Sequence, residues 1–297
     1  MRALLTLFLL GHLFCPLRTE ALTIVVDFKD PGSTQSSDLA GGIVETFDIA
    51  AYGFLEAERP TLYNSILTEL RRDFYDIPTM GVNPASVIPD GQQLDIDFVI
   101  GDIGSAPSNG DSEYYYVQVG DAVSAPSPNT LGQALGPVVR DSNGNHPFFV
   151  ANATVLASVF TDNINGLCCL TPSGILSSGD LTASTHAVNG TLAHEIGHLV
   201  SLEHMDVAGS ITPNGLDPLM GTGAIDLLPQ QRLVDREFSF SGFNSEDGGA
   251  MLTPISQLVG ALGTRAAPAA AVPEPATFAL AATGLFGVLL LGRRRRR

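Results

Sequence analysis

Residues 194–204 read His194-Glu195-Ile196-Gly197-His198-Leu199-Val200-Ser201-Leu202-Glu203-His204, and the reading of this segment decides the fold. His194 and His198 are four residues apart, so on a helix both imidazoles leave the same side and can reach one ion. Glu195 lies beside them and is out of ligand spacing. Its natural role is that of a general base acting on a metal-bound water. Two histidines are too few for a catalytic zinc, which takes three protein ligands and keeps a fourth position open. His204 follows His198 by six residues and cannot share one face of a straight helix with it. It reaches the same ion only if the chain bends near Ser201 and doubles back.

The flanking residues supply the helix. Over residues 184–202, Val188, Leu192, Ile196 and Leu199 form one apolar stripe at helical spacing. Thr191, His194 and His198 fall on roughly the opposite side, at about 100° per residue. One face is therefore predicted to enter a core while the other presents the imidazoles.

Taken whole, His194-Glu195-x-x-His198-x-x-x-x-x-His204 resembles the extended zinc motif of the metzincin metallopeptidases. The resemblance implies an α+β, zincin-like domain in which a mixed, twisted sheet backs the active-site helix. It also implies one catalytic Zn2+ on His194, His198 and His204, and Glu195 as the base in peptide-bond hydrolysis. Ser201 stands where that family usually has glycine, because the helix ends there in a left-handed turn. Serine takes up that conformation at a cost of about 1 kcal/mol. The family's second mark is a methionine-containing turn beneath the metal. Asp217-Pro218-Leu219-Met220-Gly221 is similar to it, with Met220 as the structural methionine. Thr222 stands where some branches place a tyrosine, so no tyrosine ligand is implied. Metzincins tend to carry an edge strand ahead of the active helix, at the distance of residues 166–170. Such a strand binds a peptide by β-addition, and an ordinary internal strand is the other reading of the same residues.

Two other functions fit the segment. One is a non-catalytic envelope or matrix protein stabilised by zinc. The other is a zincin in which an acidic residue, Asp217 or Glu237, replaces His204 as third ligand. His146, in a polar loop, and His186, at the start of the active helix, read as solvated or locally hydrogen-bonded. Asp141-x-Asn143-x-Asn145 hints at a calcium site, but Gly144 is misplaced for the usual hand motif.

Elsewhere, residues 22–28 are rich in β-branched side chains and read as a strand. Residues 38–58 and 61–74 carry helix-spaced apolar positions separated by Pro60, with Leu62, Ile66, Leu67 and Leu70 on one face. Residues 94–103 alternate as a strand, and 114–119 and 148–160 are further strand candidates. Cys15 falls in the N-terminal segment; the neighbours Cys168 and Cys169 read as small apolar core residues and make no metal-ligand spacing.

The two ends differ from the body. Arg2, an apolar run over 3–14 and Thr19-Glu20-Ala21 make residues 1–21 a secretory signal peptide. The catalytic domain is read as 22–262, and 263–275 as an Ala/Pro linker ending in Val272-Pro273-Glu274-Pro275. Residues 276–292 are uncharged, and Arg293 to Arg297 close the chain. Such a span is at the short end for a membrane helix, with its arginines on the cytoplasmic side. The tail resembles the PEP-CTERM sorting signal of Gram-negative bacteria. This implies an exosortase-type partner, transient anchoring in the inner membrane and an envelope or extracellular address.

The 297 residues are 44% hydrophobic, enough for a substantial core, and carry a net charge of −16. The two ends hold seven of the fifteen basic residues and two of the thirty-one acidic ones. The body that remains has eight against twenty-nine, a net charge of −21. A surface of that sign repels nucleic acid and anionic membrane surfaces; a protein or peptide substrate is what the metallopeptidase resemblance implies.

Overall fold

The computed structural model describes residues 21–75, 88–89, 91–109, 114–135, 155–168, 178–204, 218–221, 229–238 and 253–267. The signal segment, the sorting tail, the loop of Asp141 to His146, Cys169, Asp217 and Thr222 lie outside the described residues.

Strand β1 (Leu22–Phe28) is buried along its whole length, as its unbroken apolar and β-branched run requires of a central strand. It pairs in parallel with β5 (Ile96–Ile100) on one side and with β6 (Tyr114–Ser124) on the other. Strand β6 in turn pairs in parallel with β8 (Val155–Phe160). The flanks are antiparallel. Strand β7 (Gly132–Ala134) lies on β8, and β3 (Ile43–Glu45) lies on the later part of β6, with β2 (Ser36–Ser37) beyond it. A separate two-stranded pair joins β4 (Gln92–Leu94) to β9 (Thr264–Ala266). Because side chains alternate along a strand, Leu22, Ile24, Val26 and Phe28 enter the main core, while Val25 meets Tyr116 and Val155 in a smaller cluster.

Helices α1 (Arg59–Tyr75) and α3 (Leu181–Leu199) pack side by side against this sheet. Helix α2 (Thr161–Cys168) follows β8, and α4 (Pro254–Leu262) lies near the end of the body. Leu62, Ile66, Leu67, Leu70 and Phe74 of α1 are buried at the spacing an amphipathic helix predicts. Phe74 sits between Phe98 and Phe238, with ring centroids 5.1 and 5.0 Å away. Burial of such a ring stabilises the fold by roughly 1.5–3 kcal/mol. Polar bonds tie α1 to α3: Asn189 Nδ2 donates to Asp73 Oδ2 at 2.7 Å, and Thr185 Oγ1 donates to Ser65 Oγ at 2.9 Å.

Three sequence expectations change. Residues 38–58 are not one helix but β3 and two 3₁₀ turns, Ile49–Tyr52 and Glu56–Glu58. The Gly41-Gly42 pair explains it: Gly41 has φ of 91°, and the Asp38 carboxylate accepts from Gly42 N–H at 2.9 Å, closing a turn where a helix would run. Residues 166–168 belong to α2, so neither strand reading of 166–170 holds there. Ile164 and the partly buried Leu167 are three apart and face the core together. Among the described residues β7 is an antiparallel strand paired on one side, with β8. Lastly, the folded body runs to Arg265, whose guanidinium donates to Asp97 at 2.7 Å and to the Ile96 carbonyl at 2.9 Å, so β9 begins in the stretch read as linker. Among the described residues no helix is long and apolar enough to cross a membrane.

Candidate metal centre

Helix α3 begins at an Asp180 cap, whose carboxylate accepts from Ala183 N–H at 3.1 Å. Its small residues, Ala183, Ser184, Ala187, Gly190, Ala193 and Gly197, let neighbouring elements close around it. The predicted stripe of Val188, Leu192, Ile196 and Leu199 is fully buried. The imidazole side is covered as well: β7, residues 218–221 and residues 229–238 all reach it.

The helix ends as the spacing of the third histidine demands. Ser201 has φ of 76° and is the one non-glycine residue with positive φ among the described residues. Its N–H donates to the His198 carbonyl at 3.2 Å, and Leu202 N–H donates to the Gly197 carbonyl at 2.9 Å. These are the two bonds of a Schellman ending. The turn buries Leu202 and sends the chain back, so that His204 returns to the other two histidines.

The three Nε2 atoms form a nearly equilateral triangle: His194 to His198 3.1 Å, His198 to His204 3.2 Å, and His204 to His194 3.2 Å. His194 Nδ1 lies 2.6 Å from the Leu219 carbonyl, and His198 Nδ1 lies 2.8 Å from the Leu202 carbonyl. A carbonyl only accepts, so each Nδ1 carries the proton and each Nε2 a lone pair. Lone pairs converging at this distance repel one another unless a cation lies between them. An ion about 2.0–2.1 Å from each nitrogen would subtend about 100° between ligands, close to tetrahedral with one direction open. The residues present therefore fit zinc. Burial first, then the charge of His198, holds His194 well below its ordinary pKa, and burial lowers His198 too. Both favour the neutral, ligating form.

Met220 is fully buried beneath this group, and a Cβ on Gly197 would lie 2.5 Å from its Sδ. The turn that carries it is closed by Gly221 N–H donating to the Pro218 carbonyl at 3.0 Å. Leu219 N–H, bonded to the Glu237 carbonyl at 2.9 Å, anchors it to residues 229–238. Glu237 is buried, but its carboxylate is not among the atoms gathered at the histidines. His186 is locally hydrogen-bonded, with Nδ1 3.1 Å from the Leu233 carbonyl and Nε2 3.4 Å from Glu69 Oε1. Glu69, Asp73 and Asp235 also come within reach of one another, but Arg72 bridges Glu69 and Asp235.

Several residues at the centre carry no signal in the sequence reading. Glu195 is buried with its side chain against Gly132 of β7, where a Cβ would stand 2.6 Å from Glu195 Oε1. Burial, and then the charge of Asp38, push the Glu195 carboxyl up to about 8; a dication alongside would act in the opposite direction. Asp38 itself is buried and accepts from Gly42 N–H, from Gln133 Nε2 at 2.9 and 2.7 Å, and from Ser158 Oγ. This network fixes β7 beside Glu195. A cavity of about 240 Å³ opens between β7, α3 and residues 229–238, and His194, Glu195, His204, Arg232 and Arg236 all border it.

Among known proteins, residues 271–297 match the PEP-CTERM protein-sorting motif. The chain thus carries a C-terminal signal for export and exosortase-type sorting. A search of curated proteins found no match to the chain.

Proposed function

We propose that the protein is an exported zinc-dependent endopeptidase of the zincin-like, metzincin type. The convergence of three imidazole Nε2 atoms within 3.2 Å, with Glu195 at the rim of the adjoining cavity, carries this reading. Bound there, zinc would supply a Lewis acid for the scissile carbonyl and would acidify a bound water. Glu195, held between α3 and β7, takes the proton from the attacking water and delivers it to the leaving amine. Strand β7 is paired only with β8 among the described residues, so its other edge offers backbone groups to an extended peptide. Asp38 and Gln133 keep that edge in register with the base. Leu219 and Leu202, through their carbonyls, keep the proton on Nδ1 and the ligating lone pair on Nε2.

The open cavity at His194, Glu195 and His204 favours catalysis over a structural zinc, because structural sites close their coordination with four protein ligands. Metal analysis and peptide hydrolysis on wild type and Glu195→Gln test the reading. Both proteins should fold and hold one zinc per chain, with hydrolysis reduced on the order of 10²–10⁴-fold in the variant. Zinc-free wild type, or a variant as active as wild type, would overturn it. Unfolding on zinc removal with no hydrolysis by the loaded protein is the outcome that a purely structural metal predicts.

A further inference from the structure

Lys29 is the only lysine of the chain, and it is buried. It follows β1 directly, and its N–H continues the ladder by donating to the Val119 carbonyl at 2.9 Å. Side chains alternate along that line. Asp27 and Lys29 therefore lie on the face of Val25, away from Ile24, Val26 and Phe28, which meet the helices. Gly120 of β6 makes room for the lysine stem, since a Cβ there would stand 3.1 Å from Lys29 Cγ. The ammonium donates to Asp27 Oδ2 at 2.7 Å.

Both members of this pair line a cavity of about 420 Å³, within the size range of small-molecule sites. Ligands of open α/β sheets bind in the crevice outside the carboxyl ends of the strands, and this cavity lies at the carboxyl ends of β1 and β5. A tight turn, Asp30-Pro31-Gly32-Ser33, builds one rim: Gly32 takes φ of 86°, and Ser33 N–H donates to the Asp30 carbonyl at 3.0 Å. Thr34 and Ser36 continue that wall, and Asp102, just after β5, belongs to the lining too.

The pair has bonding capacity left. An ammonium carries three donors, and among the described residues that of Lys29 has one partner, Asp27 Oδ2. Oδ2 also accepts from Ile103 N–H at 3.3 Å, whereas Oδ1 has no partner among those residues. Asp27 and Lys29 are each 3% exposed, so the groups that supply the missing bonds have to enter the cavity. Such a guest must offer acceptors to Lys29 and donors to Asp27 on neighbouring atoms. A carboxylate or phosphate satisfies Lys29 and is repelled by Asp27 and Asp102. An ammonium or a metal ion satisfies the carboxylates and is repelled by Lys29. A zwitterion brings both signs, but it gives up the hydration of two charges to meet a pair that is already neutral. A hydroxyl donates and accepts at once. Adjacent hydroxyls on one ring therefore serve both partners with no charge to desolvate, and they replace displaced water bond for bond.

We infer that this cavity binds a sugar unit through vicinal hydroxyls, with Lys29, Asp27 and Asp102 as its recognition groups, on the side of the sheet away from α1 and α3. The assignment uses no part of the metal centre.

The test is saturation-transfer NMR on the purified full chain in a sugar-free detergent. The probes are glucose, galactose, mannose, N-acetylglucosamine and lactose, with acetate, ethylammonium and glycine as the anion, cation and zwitterion. Vicinal hydroxyls are common to all five sugars, so transfer to several of them is expected, and little or none to the three charged probes. Added dextran tells a polymer from a free sugar: displacement of glucose assigns the site to a unit of a chain, and retention assigns it to the free sugar, each upholding the site. Asp27→Leu/Lys29→Met replaces the pair by apolar side chains of similar size, an exchange that buried pairs often tolerate. Sugar affinity should fall about tenfold or more in that variant, with a cooperative melting curve retained. Should it fail to fold, Asp102→Ala on the exposed rim takes its place, with binding about threefold weaker. Glu195→Gln should bind sugar as wild type does. Transfer to a charged probe in place of the sugars, transfer to no sugar, or wild-type sugar affinity in the folded cavity variant would each overturn the assignment, as would loss of binding in Glu195→Gln.

Discussion

Gly132→Ala is the perturbation that most directly probes how the fold places Glu195, the proposed base. A methyl carbon on Gly132 would stand 2.6 Å from both Cγ and Oε1 of Glu195 and 2.9 Å from its Cδ. Unbonded carbon atoms settle near 3.5–4.0 Å, so the overlap is about 1 Å. Strand β7 has little freedom to retreat, because it is hydrogen-bonded to β8 and its Gln133 amide is held by both oxygens of Asp38. The Glu195 carboxylate must therefore move. If Glu195 is the base, as proposed, a displacement of about 1 Å lowers the rate on the order of 10²-fold, and overpacking of this kind costs about 1–3 kcal/mol of stability. The imidazoles lie outside the overlap, so zinc content should not change. Zinc per chain, melting temperature and kcat and KM on one peptide substrate are compared for wild type and variant. The expected result is kcat down about a hundredfold, KM little altered and full metal occupancy. An unaltered kcat would refute the reasoning, as would a loss of activity accounted for by lost zinc.

Two further perturbations address the rest of the site. Ser201→Gly removes the side-chain strain of the left-handed turn and should leave zinc affinity intact, with stability equal to or up to about 1 kcal/mol above wild type in denaturant titration. Ser201→Val should cost about 1–2 kcal/mol and weaken zinc binding by displacing His204; full zinc affinity in that variant would show that the turn does not position the third ligand. The second perturbation concerns His186, which is raised above its ordinary pKa chiefly by its bond to Glu69. Burial alone would raise Glu69, but His186 and Arg72 bring it below the usual range. The His186 contribution is thus complete below its unfolded pKa near 6.5 and fades as pH rises through the higher folded value. The Glu69 contribution is present above about 4.5 and fades as pH falls through its lower folded value. Asp235 is raised chiefly by burial and Asp73 likewise, so the whole-protein profile mixes several groups. The difference between wild type and His186→Gln isolates the pair. It should be on the order of 1 kcal/mol between about pH 4.5 and 6.5 and shrink toward pH 8. A difference that grows with pH over that range would contradict the assignment.

What the sequence by itself determined is local. The four-residue step of His194 and His198, the apolar stripe behind them and the need for a reversal near Ser201 all follow from helical periodicity over a few turns. The Schellman ending at Ser201 and the meeting of His204 with the other two imidazoles follow that reading. Strand β1 and helix α1 were legible for the same reason, since each carries its own period. The stretch 38–58 was misread because apolar spacing there suits a helix, whereas the Gly41-Gly42 turn and the pairing of β3 with β6 depend on what lies across the sheet. For residues 166–168 the strand expectation rests on the resemblance alone, whereas the three-residue step of Ile164 and Leu167 is the helical signal the structure follows.

Tertiary structure alone decided what surrounds the histidines. Gly132 matters because β7 brings its bare Cα against Glu195, and Asp38 because β8 and Gln133 close over it. Arg236 comes to lie against α3 at Gly190, and Arg232 to line the cavity, only because residues 229–238 fold back there. None of these residues has a spacing relation to residues 194–204. Their roles come from contacts between segments far apart in the chain, and such contacts exist only once the sheet has paired and the helices have packed upon it.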